Sequence, residues 1–396
     1  MRILVVAPDV PFPPLGGGQL RTHYLLRALA AHHDLTLVAF DWGRAAAVPP
    51  FPVRVVEVPW EKPRLFQEML GEDATAARSA FAKLTHETDE PFLVGFYQSA
   101  AMEQALERVT RTAFDLIVIE NTFMARFLPA LPPDVPKVLD LQNVLALIAQ
   151  RQEESASAEE KVKADFVRTR RFEQWAAGQC VLCVTTSDRE AAAARGLLRP
   201  GRVEVVPNGV DTTFFTPGPG PAARDQLLFT GSMLYWPNVE AVQYFTAAVL
   251  PLVRRGLPGA TLHIVGADPT DEVKRLDSER VVVHGAVPDM RPYFRQAALV
   301  VVPLLHGGGT RLKILEAAAS GKAVVSTSLG AEGLEFRPGE DLLLADTAEE
   351  FAGAVIRLAR DDARRRRVEE NARAASLPYD WERIGPRFRH LVESLC

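Results

Sequence analysis

The feature that most constrains this chain is a regular alternation of short, almost wholly apolar runs with longer amphipathic stretches. Strands buried on both faces read as continuous Val, Ile and Leu runs, and the helices that cover them read as amphipathic, so the pattern calls for parallel sheets with helical crossovers. Candidate strands occupy residues 2–7, 35–40, 53–58, 115–120, 137–141 and 181–186. A second series begins after Arg202, at 203–207, 226–230, 261–265, 281–284, 298–303, 323–327 and 341–345. The interval 63–111 reads mainly as helix, 157–178 as one long charged helix, and 380–395 as a final helix. The segment Pro217-Gly-Pro-Gly-Pro221 can continue neither a helix nor a central strand, which marks it as the linker between the two series. At 396 residues the chain is too long for one ordinary core and long enough for two. The expectation is an α/β chain with one domain over 1–200, a second over 201–377, and a helix over 378–396 that returns to the first.

Hydrophobic residues make up 47% and charged residues 24%, a folded rather than disordered balance. A net charge of −5 argues against a nucleic-acid partner, which needs a concentrated basic face. The basic cluster Arg168, Arg170 and Arg171 and the run Arg364 to Arg367 read as solvated helix faces. Cys180 and Cys183 have redox spacing, but a strand through Val181 and Leu182 would turn them to opposite faces. Met1 leads directly into the first strand with no secretory leader, and no apolar run approaches the ~20 residues of a membrane span. These features indicate a cytoplasmic protein and leave peripheral membrane contact open.

In parallel sheets, ligands bind where strands run out into loops that open helices. Four such places carry a signal. After the first strand, Pro11-Phe-Pro-Pro-Leu-Gly-Gly-Gly-Gln19 sets Gly16, Gly17 and Gly18 before an amphipathic helix, either to admit an anion or simply to make a tight turn. After 226–230, Gly231 and Ser232 read equally as a loop facing a ligand phosphate or as a merely structural turn and cap, with Asn238 placed to cap the following helix. Gly266, and Gly285-Ala-Val287, sit at strand exits that read more readily as plain exits than as backbone placed to read a planar base by its edge. The strongest is Val302-Pro-Leu-Leu-His-Gly-Gly-Gly-Thr-Arg-Leu-Lys-Ile-Leu-Glu-Ala317, a buried strand, a glycine loop and a helix opened by Thr310. On a 3.6-residue period Gly309, Lys313, Glu316 and Ser320 share one stripe, opposite Leu312, Leu315 and Ala319. Amides at that helix start, with Arg311 and Lys313, suit a diphosphate. His306 reads as a local hydrogen-bond partner, and His32 and His33 as the solvated end of a helix. No His, Cys and carboxylate set has metal-ligand spacing, so no tightly bound metal is expected.

In their order and place these loops resemble the retaining glycosyltransferases of family 4. Val206-Pro-Asn-Gly-Val-Asp211, with Phe214 and Pro217, is similar to that family's domain-joining segment, and Gly307 to Ala317 followed by Gly321-Lys-Ala-Val-Val325 to its donor-phosphate helix and next strand. The resemblance implies the GT-B fold: two Rossmann-like domains facing one another across a cleft, with the C-terminal helix crossing back to the first. It implies a nucleotide-diphosphate sugar as co-substrate, no tightly held cofactor, and a hydroxyl acceptor on a glycan, a lipid-linked molecule or a small molecule, as in polysaccharide biosynthesis. Glu316 would hold the ribose, and Gly308, Gly309, Thr310 and Leu312 would offer backbone contacts to the diphosphate or sugar. Gly231 and Ser232 would lie near the phosphates, Gly266 and Val287 would flank the base, and Gly17, Gly18 and Gln142 would lie on the acceptor side. Three departures stand out. Gly308 takes the place of the first of two family glutamates, the loop after Gly231 lacks the family's Arg and Lys, and Gln142 lies where a histidine is frequent.

The chemistry implied is glycosyl transfer with retention, with Arg311, Lys313 and Glu316 as catalytic candidates. Rival readings are an inactive sugar-nucleotide-binding protein, favoured by Gly308 and Gln142, and a nucleotide-sugar epimerase of the same fold, which needs acid/base residues not evident here. A nicotinamide oxidoreductase is disfavoured, because a proline-rich loop separates the first strand from its glycines.

Overall fold

The structure, a computed structural model, describes the chain except residues 15, 44–47, 62–89, 156–159, 219–222 and 234, and gives the backbone alone for 152–155 and 160–164. Two compact units divide it: Met1–Pro207 together with Gly385–Cys396, and Asn208–Ile384.

The first unit is built on a seven-stranded, wholly parallel sheet. Its strands are β1 Arg2–Ala7, β2 Asp34–Asp41, β3 Arg54–Pro59, β4 Leu116–Glu120, β5 Lys137–Asp140, β6 Leu182–Thr185 and β7 Val203–Val205. The spatial order is β3-β2-β1-β4-β5-β6-β7. β1 and β4 are buried almost throughout because helices cover both faces, which is why they read as unbroken apolar runs. Of the interval expected to be mainly helical, 62–89 lies outside the described residues, and helices Phe92–Phe96 and Ala100–Val109 occupy the rest. The charged helix runs Glu160–Gly178. The last part of the C-terminal helix Trp381–Glu393 belongs to this unit. Gly385 lies so close to Ala28 that a Cβ on it would stand 2.8 Å from the Ala28 Cβ. His33 meets Glu393 at 3.1 Å, and Phe388 and Val392 are fully buried.

The second unit repeats the plan with β8 Ala223–Thr230, β9 Thr261–Val265, β10 Val281–Gly285, β11 Ala297–Val302, β12 Ala323–Ser326 and β13 Leu343–Leu344. The order β10-β9-β8-β11-β12-β13 is again parallel. In both sheets the first strand of the series sits beside the fourth, where successive connections change direction, and parallel sheets of this order bind ligands at that switch point.

Several expectations need correction. Residues 203–205 do not begin the second series; they pair with β6 and close the first sheet. A strand this short looks the same at either end of a series, and only the register decides. The boundary consequently falls after Pro207 rather than at residue 200 or in the Pro217–Pro221 segment. Pro217 instead belongs to the second unit, exposed but with its ring 2.9 Å from where a Cβ would lie on Gly321. His33 is no solvated helix end: its side chain is buried, and desolvation holds its pKa below the ordinary imidazole value. β6 starts at Leu182, so strand alternation does not separate Cys180 from Cys183, and both thiols lie in the same core. Burial pushes both up to about 12, which leaves them protonated and unreactive.

Candidate functional site

The second unit brings its candidate residues together at the switch point between β8 and β11. β8 runs out into Gly231 and β11 into the glycine loop 307–309, followed by the helix Leu312–Ala319. Lys313, on the first turn of that helix, donates from Nζ to Asn238 Oδ1 (2.7 Å), and its ammonium lies 4.0 Å from the centre of the Phe229 ring. Asn238 Nδ2 donates in turn to the Ser232 carbonyl (2.8 Å). A Cβ on Gly231 would stand 2.9 Å from Lys313 Nζ and 2.7 Å from Asn238 Nδ2, and its φ of +144° is a backbone conformation that favours glycine. Lys313, 75 residues beyond Asn238, thus places its Nζ beside the Gly231 loop.

Burial sets the charges here. Desolvation lowers the pKa of Lys313, helped by the Arg311 guanidinium and opposed by Glu316. Desolvation raises Glu316 to about 7, with Lys313 pulling the other way. Both side chains nevertheless keep part of their surface accessible.

Arg311 is placed otherwise than expected. It is buried, its Nη1 donates to the Gly309 carbonyl (3.0 Å) and closely to that of Gly308, and it takes the cap position in place of Thr310. Its guanidinium braces the glycine loop. Thr310 is buried just before it, and Leu312 is the first helical residue, half-buried rather than on a fully apolar side. Asn238 is not a cap either, because the helix begins at Trp236 and the cap residue is Tyr235.

On the side of β9 and β10 the backbone is drawn tight. Gly231 N donates to the Val265 carbonyl (3.0 Å) and Gly266 N to the Gly285 carbonyl (2.9 Å). A Cβ on Gly266 would lie 1.8 Å from the Gly231 carbonyl oxygen, a contact no side chain tolerates. Val287 follows two residues beyond Gly285, half-buried.

In the first unit, helix Gly17–Ala30 starts at exposed glycines, with Gly16 as a cap that has no side chain to offer. Gln142 Oε1 lies 2.9 Å from where a Cβ would sit on Gly18. Gln142 holds a left-handed backbone (φ 53°) and donates from Nε2 to Glu120 Oε2 (3.0 Å), which also accepts from the Thr22 hydroxyl (3.2 Å). Beside them Arg21 forms a bidentate pair with Asp140 (2.6 and 2.9 Å) and donates to the Val206 carbonyl (2.8 Å). Glu120 is fully buried, and desolvation, reinforced by Asp140, raises it to about 8, so it is largely protonated at neutral pH. Residue types alone signalled none of Arg21, Thr22, Glu120 or Asp140. Glu120 and Asp140 carry one sequence cue, polarity at the ends of apolar strands, and Arg21 and Thr22 lie within the helix Gly17–Ala30 without one.

Among the described residues no group of three His, Cys, Asp or Glu side chains is placed to hold a metal ion, and no helix is long and apolar enough to cross a membrane.

Comparison with known proteins follows this division. Among relatives, the chain is 28% identical over 210 residues to a D-inositol 3-phosphate glycosyltransferase of Acidothermus cellulolyticus, 46% of each protein. It is 26% identical over 246 residues to the phosphatidyl-myo-inositol mannosyltransferase of Mycolicibacterium smegmatis, 53% of this chain and 63% of that protein. The matches span about half the length of such relatives. Among solved structures, sucrose-phosphate synthase from Thermosynechococcus elongatus aligns over 100% of this chain and 99% of its own, at a TM-score of 0.74 and 18% identity. Anabaena HepE in complex with UDP-glucose aligns over 100% of both chains at 0.64 and 16%. These likenesses establish the GT-B fold. A glycosyl transferase 4-like domain matches residues 16–209 and a glycosyl transferases group 1 domain matches 224–361, one to each unit. With both matches in order over this fold, the chain belongs to the group 1, family 4-like glycosyltransferases.

Proposed function

We propose that this chain moves a sugar from a nucleotide-diphosphate sugar to a hydroxyl acceptor with retention of anomeric configuration. The observation that carries the reading is the Gly231–Asn238–Lys313 cluster at the β8–β11 switch point, a partly accessible cation beside a glycine loop at a helix start. As the sugar–oxygen bond breaks, negative charge grows on the departing diphosphate. Loop amides and Lys313 stabilise that charge more in the transition state than in the ground state. Glu316, on the next turn of the same helix, is assigned to the ribose, and Gly266 and Val287 to the base. Gly17, Gly18 and Gln142 are assigned to the acceptor side.

No carboxylate pair of the glycosidase kind is evident among the candidate residues, so front-face attack, with the leaving phosphate taking the acceptor proton, suits the residues present. The donor is a co-substrate, with no tightly bound cofactor in the proposal. Three free thiols fit a reducing, cytoplasmic setting. The test is a panel of nucleotide sugars, with release of nucleoside diphosphate followed with and without candidate acceptors and product anomers assigned by NMR. Acceptor-dependent release supports the reading. Binding of sugar nucleotides without any transfer would favour the inactive binding protein, and an inverted product would overturn retention.

A further inference from the structure

A group of side chains at the rim of the glycine loop remains without a role. Trp236 and Glu240 lie four residues apart on the helix Trp236–Tyr244 and so share a face. His306 meets both of them from the residue just before the loop. Its Nδ1 is 2.6 Å from Glu240 Oε2, and its ring centre is 5.3 Å from that of Trp236. Tyr235 adjoins, with its hydroxyl 2.7 Å from where a Cβ would stand on Gly307. The group is open to a ligand: Trp236 is 58% exposed and the His306 side chain 43%. A tryptophan, a carboxylate and an imidazole in one accessible cluster offer a flat apolar surface beside hydrogen-bonding groups, the chemistry that matches a pyranose ring.

Resting on the donor assignment above, we propose that Trp236, Glu240 and His306 form the subsite for the sugar being transferred. Trp236 packs against the carbon face of the ring, while Glu240 and the second nitrogen of His306 bond its hydroxyls. Two observations select this occupant. The sugar hangs from the diphosphate, so residues edging the phosphate loop are the ones it meets, and the loop's own position 308 is a glycine with no side chain to bond a hydroxyl. The base, by contrast, is assigned to the exits of β9 and β10, which lie beyond β8 from the glycine loop. The cluster instead ties the start of the helix after β8 to the loop after β11.

The test is calorimetric titration of native protein and of Trp236→Ala, Glu240→Gln and His306→Gln with matched pairs: UDP and UDP-glucose, GDP and GDP-mannose, ADP and ADP-glucose. For a pair whose sugar form the native protein binds more tightly, each variant should weaken the sugar nucleotide roughly tenfold and the bare nucleotide by less than about twofold. Trp236→Phe should restore most of the stacking loss. Equal weakening of both members of the pair would make the cluster a nucleotide contact and overturn the proposal. So would unchanged binding, or native protein that binds both members equally. Native protein that binds no member of any pair would instead bring down the donor reading itself, and the subsite with it.

Discussion

Lys313 and Glu316 lie one turn apart on the helix Leu312–Ala319, and burial drives both toward the neutral form. An anionic diphosphate would favour the charged form of Lys313 against that desolvation, so its substitution should act mainly on the step in which charge develops. Lys313→Ala is expected to lower kcat by about 2–4 kcal/mol of transition-state stabilisation with little change in KM. Glu316→Ala is expected to weaken nucleotide affinity in calorimetry while the protein stays folded; unchanged affinity and turnover would remove it from the site. A different test applies to Glu120. Its folded pKa is raised from 4.5 to about 8, so the native state holds a proton that the unfolded chain gives up. Its contribution to stability is therefore fully present below about pH 4.5 and is lost as the pH rises through about 8. Glu120→Gln should gain melting temperature relative to the native protein as the pH is raised from about 5 to about 9; a difference that does not vary with pH would mean that Glu120 is ionised throughout. The glycine loop and the Lys313–Glu316 stripe were legible because they are local. Asn238 holding Lys313 and Asp140 holding Arg21 were not, since the partners lie 75 and 119 residues apart. The engagement of Arg311 with the Gly308 and Gly309 carbonyls was not legible either, because it depends on a loop conformation that residue types do not specify.

At the scale of elements, the strand exits are packed backbone on backbone. Gly266→Ala would drive a methyl into the Gly231 carbonyl oxygen, so β8 and β9 must part at the point where the donor is assigned. The expected result is a loss of about 1–3 kcal/mol in urea unfolding and a larger fractional loss of nucleotide affinity; a variant with native stability and affinity would show that the exits are not held so tightly. The strands themselves were legible to within a few residues, since burial on both faces leaves an unmistakable apolar run. What misled was punctuation. Pro217 and Gly218 looked like a linker but lie against the second unit, Gly218 facing Arg295 so closely that a Cβ would stand 2.3 Å from that side chain. The true boundary is marked by Arg21 in one unit, which holds the Val206 and Pro207 carbonyls, and by Trp381 in the other, which covers Gly209.

For the whole molecule, the C-terminal helix is the element that both units share, with residues up to Ile384 in the second and those from Gly385 onward in the first. The expected return of this helix to the first domain is met by the Ala28–Gly385 and His33–Glu393 contacts. Phe388→Ala empties a fully buried site and should destabilise the first unit by about 3–5 kcal/mol, while nucleotide still raises the melting temperature of the second. Loss of that nucleotide-dependent shift would mean the two units do not unfold separately. The same helix has a consequence for how the protein is made. The first unit is interrupted after Pro207 and completed only by residues from Gly385, so a ribosome must synthesise the entire second unit before the first has all its parts. At bacterial or eukaryotic elongation rates that interval lasts roughly 10–40 s. Through it the nascent first unit lacks the segment carrying Phe388 and Val392, and any quality-control factor that reads exposed apolar surface has that long to find it.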